Sequence, residues 1–324
     1  MRYWRLLFAG AIAAGTLGMR LMCWPPISGY PDRVVGSIVL PYGTAEAFAF
    51  TPSLDYAYIG CGVYDRVYRL RMSDLTITDS IEVEGDPSGL AFTPDGQYCY
   101  VSCFYGQRIT KIRTADDSIV AVLPTPGGAS AVSIMPGGDR AYVTTCTPST
   151  VMVLRLADDV FTDTLPVGED PGSALSPDAS RLYIWNRYAN TLTVMRTADN
   201  AVIAVIPVGQ MPHRAAPLPD GSRVYVTRYS SPVIPVVDAV TNTVIDSVTV
   251  APGEFGIAAL PPDGRYVYAA SRFSDMVHII RTSDNSVVES LECGSTPCRI
   301  VPDPDGSRLF VCNRGIGEIT IIGY

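Results

Sequence analysis

The sequence predicts an all-β fold: a seven-bladed β-propeller with four-stranded antiparallel blades. Two periodic features predict it. Pro recurs at 52, 94, 136, 177, 219, 262 and 304, in steps of 41 to 43 residues. The sixth residue after each Pro is aromatic: Tyr58, Tyr100, Tyr142, Tyr183, Tyr225, Tyr268 and Phe310. A repeat near 42 residues built from short strands is a propeller blade, a sheet that buries its faces only against its neighbours.

The fifth copy, Gly209 to Val250, serves as a template. Arg214 to Leu218 reads as a first strand, and Pro219-Asp220-Gly221 turns the chain. Arg223 to Thr227 alternates as a second strand, and Val233 to Asp238 gives a third. Thr241-Asn242 turns again before a fourth strand from Val244 to Val250. Such hairpin signals between short apolar runs define one blade, its first strand nearest the axis and its fourth at the rim.

The seventh copy stops after three strands. Arg33 to Leu40 (RVVGSIVL) matches the fourth-strand segment Thr243 to Val250 (TVIDSVTV), so the N-terminal strand is expected to complete the last blade. That closure removes the exposed sheet edges at the two ends of the ring. The expected organisation is residues 1–23 as an export segment, 24–32 as a linker and 33–324 as a single propeller.

Tyr142-Val143-Thr144-Thr145, Tyr225-Val226-Thr227-Arg228, Thr93-Pro94-Asp95-Gly96 and Thr241-Asn242-Thr243-Val244 carry a further resemblance. They resemble the YVTN-type β-propeller repeat, in which a Pro-Asp-Gly turn precedes Tyr-Val-Thr-Asn. The resemblance spans residues 33–324. It implies the propeller fold and the company of periplasmic and surface-layer propellers; lactonase-type propellers are more distant. It implies no particular activity.

The formal net charge is −8, and Lys111 is the only lysine. An acidic chain without runs of like charge argues against nucleic acid or anionic membrane as the main partner. Arginine in place of lysine suits bidentate pairing with carboxylates, although a GC-rich genome yields the same bias.

Arg2 and Arg5 followed by the apolar stretch Leu6 to Leu17 read as a secretory signal, too short to span a bilayer. The expectation is export to the periplasm, cell surface or exterior. An uncleaved anchor or a lipoprotein modified at Cys23 are the alternatives, the latter opposed by Arg20-Leu21-Met22, which lacks a small residue beside the Cys. Export permits disulfides, and Cys293 and Cys298, bracketing Gly-Ser-Thr-Pro, are the expected bridge. Cys61 and Cys103, at equivalent places in adjacent copies, are a second candidate pair.

Comparison among the copies separates scaffold from site. Arg71, Arg113, Arg155, Arg196 and Arg281 each precede an Asp by three residues (74, 116, 158, 199, 284) and are expected to form local rim pairs. A second set is confined to a few copies. Arg187-Tyr188, Arg228-Tyr229, Arg272-Phe273 and Arg314 follow the second strands of blades four to seven. Arg214 and Arg299 enter the first strands of blades five and seven. Six arginines among aromatics on one side of one face suit an anionic or sugar-like ligand, or an acidic segment of a protein partner at the cell envelope. The opposite side of that rim carries Cys61, Cys103, Cys146, Cys298 and Cys312, without any C-x-x-C spacing, and is read as disulfides or buried thiols rather than a metal site.

An enzyme would need a positioned base. His213, beside Arg214 and across from Glu46, is the candidate for a lactonase-like hydrolase or lyase, with Arg214 or Arg299 steadying an oxyanion. No C-x-x-C-H, phosphate loop or calcium loop occurs, so no cofactor is expected. The preferred reading is a non-enzymatic binder. The hydrolase or lyase and a structural surface or filament subunit are the alternatives.

Overall fold

The computed structural model describes residues 29–324 apart from 230, 252 and 316, and without the side chains of 254 and 255. The export segment with Cys23, and residues 24–28 of the expected linker, lie outside the described residues. Among the described residues no helix is long and apolar enough to cross a membrane.

Seven four-stranded antiparallel sheets form the ring. In each sheet the strands are called a to d from the axis outward. The a strands are Ala45–Phe50, Pro87–Phe92, Gly128–Ile134, Pro171–Leu175, Pro212–Pro217, Glu254–Ala259 and Pro297–Pro302. Blade five continues through Arg223–Arg228, Val233–Asp238 and Thr243–Thr249, within two residues of the segments expected from its periodicity. The seventh sheet takes its d strand from Arg33–Val39, which pairs antiparallel with Glu318–Gly323 from Arg33 opposite Gly323 to Val39 opposite Glu318. Closure by the N-terminal strand is thus as the repeat pattern predicts.

The recurrent Pro lies in the a–b turn for a local reason. In blade two, Thr93 Oγ1 accepts from the Tyr98 N–H, Asp95 accepts from Gln97, and Gly96 supplies a φ of +70°. An Asx-type turn with one left-handed residue therefore reverses the chain.

The aromatic six residues on is fully buried in every blade and packs between adjacent sheets. Each such side chain stabilises the ring by roughly 1.5–3 kcal/mol through burial alone. Five of the six tyrosines also anchor the next element of the ring through the hydroxyl. Tyr58 donates to Asp117, Tyr100 to Asp159 at 2.5 Å, Tyr142 to Asn200 at 2.9 Å and Tyr225 to Asn285 at 2.5 Å. Tyr268 donates to the Pro31 carbonyl, just ahead of the closing strand. The Asp and Asn acceptors sit in the c–d turns with φ between +56° and +59°, a region these residue types tolerate. At the last junction the aromatic is Phe310, which shares a core cluster with Leu75, the residue blade one holds at that turn position. Donor and acceptor have been exchanged together for an apolar pair.

Candidate functional site

The b–c and d–a connections meet on one face around the axis, opposite the face of the Pro-containing turns. The a strands control what reaches the centre. In six blades the a–b ladder carries a β-bulge whose register shift falls at Glu46, Ser88, Ser130, His213, Phe255 and Cys298. Blade four runs without one. Where the bulged side chain is short it turns toward the next blade: Ser88 Oγ lies 3.1 Å from the Ala129 carbonyl, Ser130 Oγ 2.5 Å from Pro171 O, and Cys298 Sγ 3.3 Å from Ala45 O. The bulges stitch neighbouring a strands around the channel.

The next position is where the blades diverge. Strand register makes Ala47, Gly89, Ala131, Gly172, Arg214, Gly256 and Arg299 equivalent, each opposite its own b-strand partner. Five blades keep Gly or Ala here, where the blade's own b strand or the next a strand leaves little space. A Cβ on Gly256 would lie 2.9 Å from the Cα of Arg299. At this crowded position blades five and seven carry arginine. Arg214 Nε is buried and finds no hydrogen-bond acceptor among the described residues. Arg299 makes one long contact, Nη1 to the Ser88 carbonyl at 3.4 Å, reaching past blade one. Burial, and then the Arg299 charge nearby, pull the Arg214 pKa down to about 10. Burial lowers Arg299 as well. Both cations are desolvated, and among the described residues neither forms a salt bridge; Glu46 acts on Arg214 only as a more distant charge.

The other four arginines of the face are placed differently. Arg187 pairs with Asp170 at 3.4 Å and lies 4.8 Å over the Tyr229 ring and 5.5 Å over Tyr188. Arg228 donates to the Val233 carbonyl at 2.9 Å and to Ser231 at 2.6 Å, which bends it back onto its own loop. Arg314 pairs with Glu46 at 2.8 Å. Arg272 lies 6.0 Å from the Phe273 ring. Tyr229 and Phe273 meet edge to face at 6.3 Å, so Arg187, Tyr229, Phe273 and Arg272 form a continuous ladder across blades four to six. Tyr188 and Phe273 are 57% and 60% exposed, a wet aromatic rim beside the half-buried pair.

Glu46 Oε1 accepts from Arg314 Nε at 2.9 Å and from Thr44 at 3.2 Å. Glu46 is therefore engaged by blade seven, through Arg314. The second histidine, His278, is buried in a c strand with Nδ1 2.7 Å from Ser290 Oγ.

The expected Cys293–Cys298 bridge is absent: both are free thiols. Cys293 turns its sulfur to the Asp275 carbonyl at 3.3 Å. Cys298 falls on the a-strand bulge and faces blade one, so the two sulfurs serve different neighbours. Cys61 and Cys103 are likewise free and buried. Among the described residues no group of three His, Cys, Asp or Glu side chains gathers to hold a metal.

Three participants escaped the sequence reading. Asp170 and Asp86 precede the first Pro of an a strand with φ of +54° and +61°, and Gly62 opens the b–c connection of blade one. The Asp-Pro dipeptide at two strand entries was the available signal.

No family model matches the chain, and no curated protein matches it. Among solved structures it is similar to Kuenenia stuttgartiensis hydrazine synthase, with a TM-score of 0.79 and 16% identity over 89% of this chain and 97% of that one. It is also similar to the β-propeller domain of Myceliophteria thermophila Cps50 (Swd1), with a TM-score of 0.76 and 13% identity over 91% and 100% of the two chains. Likeness at such identities is a likeness of architecture.

Proposed function

We propose that the chain is an exported, non-enzymatic propeller of YVTN-type repeats that binds an anionic ligand, either a small molecule or glycan or an acidic segment of a protein partner, at the cell envelope. The observation that carries this reading is the pair Arg214 and Arg299, inserted where five equivalent positions hold Gly or Ala. The scaffold has no use for a guanidinium there. Two half-buried, like-charged groups raise the free energy of the empty protein, and an anion relieves that cost while gaining charge-assisted hydrogen bonds. The aromatic ladder from Arg187 to Arg272 adds flat surfaces suited to sugar or aromatic faces next to the anion.

Thermal-shift titration with phosphate, citrate, a uronic-acid oligosaccharide and a poly-glutamate peptide tests this. At least one is expected to raise Tm in the wild type and not in Arg214→Ala/Arg299→Ala. Absence of any shift across the series would overturn the reading. Export is tested separately, by fractionating cells that express the full chain.

A further inference from the structure

We propose that the axial mouth receives a small amphoteric molecule, with its anionic group between Arg214 and Arg299 and its ammonium group against Asp86 and Glu46. The inference rests on the anion-binding reading above and names the ligand class.

The second pole is built by another departure from the repeat. The a–b registers make Gly62, Phe104, Cys146, Arg187, Tyr229, Arg272 and Arg314 equivalent, at the ends of the b strands. Only blade one has Gly at this position. A Cβ on Gly62 would lie 2.2 Å from Asp86 Oδ1 and 2.9 Å from Glu46 Oε1. Removing the side chain is what lets two carboxylates from blades one and two converge. Asp86 is held there by its backbone, whose N–H donates to Asp65 Oδ1 at 2.8 Å. Its own Oδ1 is buried and accepts no hydrogen bond among the described residues.

The charges do not cancel internally. Among the described residues Arg314 is the cation bonded to this acidic pair, and its hydrogen bonds go to Glu46. Burial first, then Glu46, push the Asp86 carboxyl up to about 6, with Arg314 only partly opposing. Arg299 reaches as far as Ser88, two residues beyond Asp86, yet contacts the Ser88 carbonyl rather than a carboxylate. Among the described residues the mouth therefore holds a positive pole without a salt bridge in blades five and seven and an acceptor without a donor in blade two. A simple anion would satisfy the first and repel the second. A molecule carrying both charges satisfies both, and each pole lacks hydrogen-bond partners that an ammonium or a carboxylate supplies.

The experiment titrates the full chain by calorimetry with two pairs of probes that differ mainly by an ammonium group: γ-aminobutyrate against butyrate, and O-phosphoethanolamine against ethyl phosphate. The expected result is that the aminated member of at least one pair binds about tenfold tighter. Asp86→Asn should bring that ratio below about twofold, the loss expected when a charge-assisted hydrogen bond becomes a neutral one. Gly62→Ala, which fills the space between the carboxylates, should do the same, so the result does not hang on one variant. Equal binding within both pairs overturns the amphoteric ligand and leaves the anion site standing. A preference that survives in both variants also overturns it. No binding by any probe, together with no shift in the anion series, removes both readings.

Discussion

Lys111, the only lysine of the chain, is bonded to Asp159 of the next blade at 2.8 Å, on the same carboxylate that accepts the Tyr100 hydroxyl. Asp159 thus receives two donors from blade two, and Arg69 with Tyr58 treats Asp117 in the same way one blade earlier. The lysine lies 4.3 Å from the Tyr98 ring centroid, which shields it further.

Lys111→Met should therefore leave Asp159 charged and short of a partner at a blade junction. A loss of about 2–4 kcal/mol is expected in denaturant unfolding, since breaking one half of a desolvated pair costs more than the pair contributes. Lys111→Met/Asp159→Leu should recover much of that loss, and failure to recover would mean that the pair does more than satisfy itself. Tyr100→Phe should cost less, about 1 kcal/mol, the scale of one hydrogen bond.

Arg214→Ala/Arg299→Ala restores the residue types of the other blades and should raise stability in low-salt buffer by on the order of 1 kcal/mol, because two half-buried like charges without a salt bridge are removed. Phosphate should narrow the difference by stabilising only the wild type. A variant less stable than wild type under all conditions would show that the arginines serve the fold.

Asp86 gives a pH signature. Its folded pKa is raised to about 6, so between the unfolded carboxylate range and pH 6 the folded state binds more protons. Stability should fall as pH rises through that window. Asp86→Asn should match wild type near pH 4 and exceed it near pH 8, by on the order of 1 kcal/mol after allowance for solvent screening. Parallel curves from pH 4 to 8 would contradict the assignment.

Deleting residues 33–39 should abolish cooperative unfolding, because blade seven would lose its outer strand and the junction fixed by Tyr268 and Pro31. Calorimetry of the deletion protein should show a broad, low-enthalpy transition. An unchanged melting transition would refute the role of this strand.

The blade plan was legible because each copy states it independently: a Pro for the turn, an aromatic for the junction, and Arg33–Val39 for the missing strand. The rim pairs were legible because both partners lie within one turn, as Arg71 and Asp74 do at 2.8 Å. The face was legible only as a gathering of arginines. Which of them are answered depends on residues beyond the local turn, Asp170 at the entry of the same blade for Arg187 and Glu46 of blade one for Arg314, and no short spacing encodes that. The expected Cys293–Cys298 bridge failed for a related reason. Whether Cys298 faces back or forward is decided by a bulge, and a bulge shifts register without any residue-type signature of its own. Asp86 and Gly62 went unnoticed because each is an ordinary loop residue until the register sets Gly62 beside large neighbours.

Arg33 sits opposite Gly323, and the Asp32 N–H bonds to the Gly323 carbonyl at 3.0 Å. The two ends of the ring are thus spatial neighbours separated by almost its whole length. A circular permutant that fuses them through a short linker and opens the chain in an exposed c–d turn would turn the most distant pairing of the molecule into a hairpin. Such a protein should keep the same native contacts while folding faster, since contact order falls without any change of architecture.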